Sequence, residues 1–132
     1  MNEAIDEILK NAKTIAVVGA SPKPNRDSGK ITEYLKSVGY KVFPINPLYD
    51  EVAGLKCYKS LSDVSEKIEI VNIFRKSEEV MPIVEEAIKI GAETIWMQFE
   101  VINQEAAKKA EAAGLKVVMD RCIYVEHRNR KI

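Results

Sequence analysis

The sequence predicts an α/β fold, a doubly wound sheet of five mainly parallel strands with helices on both faces. Apolar runs of strand length alternate with helical patterns along the chain, which is the signature of such a sheet. The first run, 15–18, is continuously apolar and mostly β-branched, as is typical of a parallel strand buried on both faces. The length of 132 residues fits one domain over 1–132 and is too short for separate cofactor and substrate domains.

The first half of the chain contains two predicted helices and two strands. A helix over 2–11 places its isoleucines and leucine on one face. After the first strand and a long loop, helical spacing resumes over 28–38, and Gly39 follows as a C-cap. The second strand is KVFPIN. The segment 47–67 is the least regular part, with turns and a short helix near 62–67.

The second half repeats the alternation more regularly. The pattern predicts a strand over 68–74, a helix over 78–90, a strand over 94–98, a helix over 104–113 and a strand over 116–119. Right-handed crossovers then favour a flavodoxin-like or half-Rossmann strand order. In either order, the ligand crevice lies outside the carboxyl ends of the strands, where the order reverses.

Composition argues against several classes of partner. Twenty basic and twenty acidic residues cancel, so no net charge favours nucleic acid or an anionic membrane. The start, MNEAIDEILKNAK, does not resemble a signal peptide, and no apolar stretch approaches the roughly 20 residues that span a bilayer. Cys57 and Cys122 form neither a CxxC pair nor a metal-spaced cluster. We therefore expect free thiols, no metal site and a cytoplasmic location.

The loops after the predicted strands form the candidate site, because the carboxyl ends of parallel strands meet at one edge of the sheet. We predict that Ser28 caps the second helix, so that the N–H groups of 28–31 attract a phosphate. Arg26 could add a bidentate clamp. The alternative is an ordinary loop, stiffened by Pro22 and Pro24, in which Arg26 is solvated. The candidate segments are 19–28, 46–47, 74–76, 97–100 and 120–122.

The same loops disfavour a nicotinamide cofactor without excluding it. A dinucleotide fingerprint needs glycines where Ser21 and Pro24 stand. A nicotinamide-binding domain usually ends its second strand with an acidic residue for the ribose hydroxyls, but this position is Asn46, and Asp50 would have to substitute. Asn46 and Pro47 also form a turn signal, which is compatible with a role in binding a ligand.

A set of catalytic residues is hard to identify. His127 lies in the polar stretch EHRNRK, with no second histidine to build a metal site, so we expect it to be a solvated surface residue. Cys122 follows the last strand beside Arg121, which could activate the thiol, but a buried structural cysteine is the favoured interpretation. We expect Trp96 and Phe99 to fill the core.

Five segments occur in a recognisable order along the chain. They are GASPKPNRDSGK, INP, VNIFRKSEEV, IWMQFEVINQEA and VVMDRC. Together they resemble the small stand-alone CoA-binding domain proteins, which are similar to the N-terminal CoA-binding domain of the succinyl-CoA synthetase alpha subunit. The resemblance covers about 8–127 and is far more specific than a single glycine turn.

The resemblance implies a Rossmann-like domain that binds coenzyme A along the carboxyl edge of the sheet, with the phosphates near the first loop. Carried over to matching positions, it implies a phosphate region lined by Gly19, Ala20, Ser21, Asn25, Arg26 and Ser28. It implies adenosine contacts from Asn46 and Pro47, and contacts to the rest of the ligand from Phe74, Arg75 and Gln98. CoA has more phosphate than NAD, including a 3′-phosphate, so a long basic loop suits it.

One residue departs from the resemblance. Glu100 stands where a glycine is expected after the fourth strand, and its carboxylate could narrow the crevice or repel an anion. The chain also lacks the phosphohistidine loop of the synthetase, so synthetase activity is not implied. We expect a non-catalytic carrier, sensor or partner module that binds CoA or acyl-CoA, with its protein partner unspecified. Two alternatives stay open: a small NAD(P)-dependent oxidoreductase, or a thiol-redox protein in which Cys122 forms a mixed disulfide with CoA.

Overall fold

The computed structural model describes residues 2–130 of the chain. Residues 1, 131 and 132 of the predicted domain lie outside the described part. The helices are α1 (Asn2–Asn11), α2 (Asp27–Ser37), α3 (Val80–Lys89), α4 (Gln104–Ala112) and α5 (Ile123–Arg128). The strands are β1 (Thr14–Val18), β2 (Lys41–Ile45), β3 (Glu51–Val52), β4 (Leu55–Lys56), β5 (Ile70–Ile73), β6 (Thr94–Met97) and β7 (Lys116–Val118). Two short 3₁₀ helices span Leu61–Asp63 and Ser77–Glu79.

Five of the strands form one parallel sheet in the order β2-β1-β5-β6-β7. In the register of β1, Val17 pairs with Pro44 on β2 and with Asn72 on β5. This is the flavodoxin-like order, and it reverses between β1 and β5. The prediction of a doubly wound, five-stranded parallel sheet is confirmed, and the predicted order is resolved in favour of the flavodoxin-like alternative.

Each face of the sheet is covered by helices, and the alternation of side chains along the strands divides the core into two parts. Ala16 and Ile95 face a cluster that includes α3 and α4. Val17 and Trp96 face the opposite cluster, which includes α1, α2 and α5. Because both faces are buried, the strands are apolar at nearly every position, which explains the continuous runs in the sequence.

Two elements of the fold were not predicted, and two side chains lie elsewhere than expected. The segment after β2 contains the small antiparallel hairpin β3–β4, and the polar C-terminal stretch forms α5. His127, expected at the surface, is 6% exposed in α5, because the Tyr34 hydroxyl lies 2.7 Å from its Nδ1 and the rings of Tyr34 and Tyr40 pack against it. Phe99, expected in the core, is 64% exposed, because it lies beyond the end of β6, whereas Trp96 within β6 is fully buried as predicted.

Across residues 2–130, none of the helices combines the length and the apolar character that crossing a membrane requires.

Candidate functional site

A groove of about 1340 Å³ runs along the carboxyl edge of the sheet. It is lined by residues from the loops after all five parallel strands, so its path follows the strand order from β2 to β7. Nine of the eleven predicted binding residues lie in its lining: Gly19, Ser21, Asn25, Arg26, Ser28, Asn46, Phe74, Arg75 and Gln98. The other two are placed differently. Ala20 is fully buried, and Pro47 is exposed but outside the groove lining.

Gly19 lies where the strand order reverses, and the loops after β1 and β5 approach each other closely there. Its φ is +89°, and a Cβ added to it would lie 2.3 Å from the carbonyl oxygen of Phe74. Its N–H donates to the carbonyl of Ile45 on β2 at 2.8 Å. Only glycine combines the positive φ with this close approach, so Gly19 brings the loops after β1 and β5 together at the floor of the groove.

The long loop after β1 folds back onto the first turn of α2. Ser21 N–H donates to Ser28 Oγ at 3.0 Å, and Lys23 N–H donates to Ser21 Oγ at 3.2 Å. A Cβ on Gly29 would lie 2.6 Å from the carbonyl oxygen of Ser21, so a second glycine is needed for this close contact. Sequence reasoning did not single out Gly29, because its contact depends on how the loop folds.

The amino end of α2 differs from the prediction. The helix begins at Asp27, and its N-cap is Arg26, whose side chain accepts no capping hydrogen bond. Ser28 is therefore not the cap, because it lies inside the first turn and its hydroxyl is committed to Ser21. The first N–H groups of a helix have no partner within the helix. With no side-chain cap, they are left for solvent or a ligand in the groove.

Cationic side chains surround this helix end. Lys23 and Arg26 are exposed, and neither forms a salt bridge within residues 2–130. Arg75 is partly committed, since its Nε and Nη2 each lie 3.2 Å from a carboxylate oxygen of Glu79. The hydrogen bonds from Arg75 hold the pKa of Glu79 below its ordinary value, so that carboxylate stays charged. The cations at this end of the groove without a salt bridge among residues 2–130 are thus Lys23, Arg26 and Lys76.

Asn46 joins the end of β2 to the first loop. Its Nδ2 donates to the carbonyl of Ala20 at 2.9 Å, and its Oδ1 accepts from Leu48 N–H at 2.9 Å. The second bond forms the turn that the Asn-Pro pair predicts. An aspartate here would lose the donor to Ala20, so the amide is explained by local structure. Leu48, 77% exposed, and half-buried Tyr49 line the groove beyond it.

Gln98 attaches α5 to the carboxyl end of β6. It is 4% exposed, and its Oε1 accepts from Ile123 N–H at 2.8 Å. Trp96 reinforces the same junction, since its Nε1 donates to the carbonyl of Arg121 at 2.8 Å. Cys122, expected in the core, is instead half-buried and lines the groove. Cys57 is buried, and burial raises the pKa of its thiol, which keeps it protonated.

The far end of the groove, after β6 and β7, is partly acidic. Glu100 and Asp120 both line it and both have a left-handed backbone, with φ of 70° and 61°. Glu100 N–H donates to Asp120 Oδ1 at 2.6 Å, so the two loops are joined. The positive φ explains why glycine is the expected residue at position 100. Apolar side chains of Phe99, Val101 and Met119 complete this end, and sequence reasoning missed the last two because they follow the strands without a motif.

The arrangement suits binding of an elongated anionic ligand. Within residues 2–130, no group of three or more His, Cys, Asp and Glu side chains could hold a metal ion. His127 lies outside the groove lining, and burial lowers the pKa of its imidazole. The groove instead offers an open helix end, free cations and apolar surface along one continuous edge.

Comparison with known proteins gives the family. A model described as a CoA binding domain matches residues 13–128. The uncharacterized protein YneT of Bacillus subtilis is 40% identical over 123 residues, which are 93% of this chain and 91% of YneT. A solved structure of a hypothetical protein from Pyrococcus horikoshii superposes with a TM-score of 0.94 at 50% identity, covering 98% of this chain and 91% of that one.

A similar segment occurs within larger enzymes. The ADP-forming acetate–CoA ligase of Methanocaldococcus jannaschii is 34% identical over 119 residues, which are 84% of this chain but only 17% of the ligase. The family model covers nearly the whole length of the chain. The chain therefore belongs to the CoA-binding domain family.

Proposed function

We propose that this protein binds coenzyme A or an acyl-CoA in the groove, with the phosphates at the amino end of α2, and acts as a non-catalytic carrier, sensor or partner module. One observation carries the proposal: the amino end of α2 has no side-chain cap and opens into the groove beside the unpaired Lys23 and Arg26. An uncapped helix end with free cations is an anion-binding arrangement.

The successive parts of a CoA molecule match successive parts of the groove along the edge of the sheet. A helix end contributes about 0.3–1 kcal/mol toward an anion, and up to about 2 kcal/mol when partly buried. Free cations can add charge-assisted hydrogen bonds to the diphosphate and the 3′-phosphate. The adenosine would then lie toward Asn46 and Leu48, and the pantetheine arm toward Gln98. Pro47 would support its turn rather than touch the ligand, since it is outside the groove lining.

The names of the larger relatives support CoA as the ligand of this chain, but they do not support a ligase reaction for it. The Methanocaldococcus jannaschii relative is an acetate–CoA ligase by name, so CoA is its co-substrate. The matched segment is 17% of that ligase, and we do not extend ligase activity to this chain. We propose that the groove residues of this chain bind the ligand without catalysing a reaction on it. We place its action in the cytoplasm.

A ligand panel read by thermal unfolding tests this proposal. A ligand present at 100 times its dissociation constant stabilises the native state by about 2.7 kcal/mol, which raises the Tm of a domain this size by about 10 °C. We expect this rise with CoA and acetyl-CoA, a smaller one with 3′-dephospho-CoA, and none with NAD or NADP. A rise with NAD or NADP and none with CoA would instead support the oxidoreductase alternative.

A further inference from the structure

We propose that the groove selects the acyl group of its ligand by charge, accepting uncharged acyl-CoA thioesters and disfavouring those whose acyl group ends in a carboxylate. This inference rests on the proposed function, because it requires CoA to lie in the groove with its phosphates at α2. It adds a determinant of specificity, Glu100 together with Asp120, at the end of the groove away from the phosphates.

The two parts of the groove carry different charge. Around the amino end of α2, the lining contains four cations, Lys23, Arg26, Lys76 and the Glu79-paired Arg75, against one carboxylate that is unpaired among the described residues, Asp27. The part after β6 and β7 contains Glu100 and Asp120. CoA has all of its anionic groups on the nucleotide side, whereas the pantetheine arm and its thiol are uncharged. Charge complementarity therefore places the thioester, not the 3′-phosphate, at the acidic end.

The two carboxylates are not neutralised by neighbours. Glu100 and Asp120 form no salt bridge within residues 2–130, and both are exposed. Glu126, also in the lining, is neutralised by contrast, since it lies 3.6 Å from Arg121 and 2.9 Å from Arg130. Arg121, the neighbouring cation in the lining, is thereby engaged with Glu126. A charged acyl end arriving here meets two unpaired carboxylates.

A backbone hydrogen bond holds the Asp120 carboxylate and the loop that carries Glu100. Glu100 N–H donates to Asp120 Oδ1 at 2.6 Å, which links the loop after β6 to the loop after β7. Both residues have the left-handed conformation in which glycine is the usual residue. Strained non-glycine residues of this kind concentrate at functional sites, and here the strained residue supplies a charge beside the apolar surface of Phe99 and Met119.

The expected discrimination is modest and measurable. Two carboxylates about 7 Å from a third charge in a solvent-exposed groove weaken binding about tenfold at low salt. The same repulsion does not act on an acyl group that ends in a methyl group.

Calorimetric titration with two stable thioethers tests the inference directly. S-propyl-CoA and S-(2-carboxyethyl)-CoA both carry a three-carbon group on sulfur, which ends in a methyl group in the first and in a carboxylate in the second. Neither thioether can hydrolyse. We expect the parent protein to bind S-propyl-CoA about tenfold more tightly than the carboxylated analogue at low salt. In the double variant Glu100→Gln, Asp120→Asn, the two affinities should come within about twofold, because the amides keep the loop contact without the charge.

A matched control removes a carboxylate elsewhere. Glu111 is exposed on α4 and lies outside the groove lining, so Glu111→Gln should retain the full discrimination of the parent. Equal binding of both analogues by the parent, or discrimination that persists in the double variant, would overturn this inference while leaving CoA binding intact. Failure of CoA itself to bind would overturn the proposed function and the inference together.

Discussion

The two edges of the parallel sheet differ in whether their polar groups have partners within the fold. At the amino edge, one carboxylate oxygen of Glu69 accepts from Lys13 N–H at 2.8 Å, Thr14 N–H at 3.2 Å and the Thr14 hydroxyl at 3.3 Å. The donors at the start of β1 are thus satisfied within the fold. The cavity beside them is small, about 130 Å³.

At the carboxyl edge, by contrast, the hydrogen-bond donors around the amino end of α2 are left without partners in the described part of the chain. The amino end of α2 has no side-chain cap, and Lys23 and Arg26 have no salt-bridge partner within residues 2–130. The groove there is about 1340 Å³, roughly ten times the volume of the cavity at the other edge. Groups that a fold leaves unpaired are available to a ligand, whereas groups that it pairs contribute to stability. Substitutions at the two edges should therefore affect different measurements.

The largest expected effect is at the floor of the groove. Gly19→Ala would place a Cβ 2.3 Å from the Phe74 carbonyl oxygen at a φ of +89°, so the loops after β1 and β5 must separate. We expect the free energy of unfolding to fall by about 3 kcal/mol, from the left-handed strain together with the clash. Urea unfolding measures it.

Gly54→Ala is the matched control for this variant. Gly54 also has a positive φ, +76°, but a Cβ there meets nothing within 4 Å. It should lose only about 1 kcal/mol, the cost of the left-handed conformation for an L-residue. Equal losses in the two variants would contradict a special role for close approach at Gly19.

The next effect concerns affinity rather than folding. If Arg26 pairs with a CoA phosphate, Arg26→Ala should weaken CoA binding by roughly 1.5–3 kcal/mol with little change in stability. Arg26→Lys should recover part of the loss, because an ammonium restores charge without the planar fork. Lys30→Ala, on the same helix but outside the groove lining, is the control. Calorimetry at two ionic strengths separates these cases, and unchanged affinity in Arg26→Ala would remove Arg26 from the site.

The amino edge should give the reverse pattern. Glu69→Ala removes the shared acceptor of Lys13 and Thr14. Because this site is half-exposed and water can replace part of the contact, we expect a loss of about 1 kcal/mol in unfolding free energy. The affinity for CoA should stay unchanged. A marked loss of CoA affinity in this variant would show that the two edges are not independent.

The smallest effect is a pH dependence from α5, which borders the groove with one face and buries His127 with the other. Burial lowers the pKa of His127 from its ordinary 6.5, so the unfolded chain binds this proton more readily than the folded one. The stability contributed by neutral, buried His127 is fully present well above pH 6.5 and falls as the pH drops through that value. Once the pH is below the pKa of His127 in the folded state, this loss of stability stops growing.

His127→Phe retains ring contacts with Tyr34 and Tyr40 but cannot take up the proton. The difference in unfolding free energy between parent and variant, measured from about pH 5 to 8, should shift in favour of the variant at low pH. Parallel pH profiles for the two proteins would be inconsistent with a buried, titrating His127.

Much of the fold was accessible from the sequence because both faces of the sheet are buried. Continuous apolar runs such as TIAVV mark parallel strands, and the predicted order of helices and main-sheet strands is the observed one. The hairpin β3–β4 and α5 were missed because segments of two and six residues carry too little periodicity. His127 was misjudged because its burial depends on Tyr34 and Tyr40, which are distant in sequence.

The residues of the candidate groove were predictable as a group, but their contacts were not. Strand ends identify the loops, so nine of the eleven predicted residues come together in the groove. The hydroxyl of Ser28 was misassigned because the loop folds back and gives it to Ser21. Gly29 and the link between Glu100 and Asp120 depend on the approach of separate segments, which no local pattern encodes.

Backbone amide NMR during a CoA titration tests the central claim most directly, because it reports each edge of the sheet separately. We predict that saturating CoA shifts the amide signals of Gly19, Ser28 and Gly29 most strongly, at the floor of the groove and the open end of α2. The signals of Thr14 and Glu69 at the amino edge should not move. No shifts at saturating CoA, or shifts centred on Thr14 and Glu69, would contradict the assignment of CoA binding to the carboxyl edge.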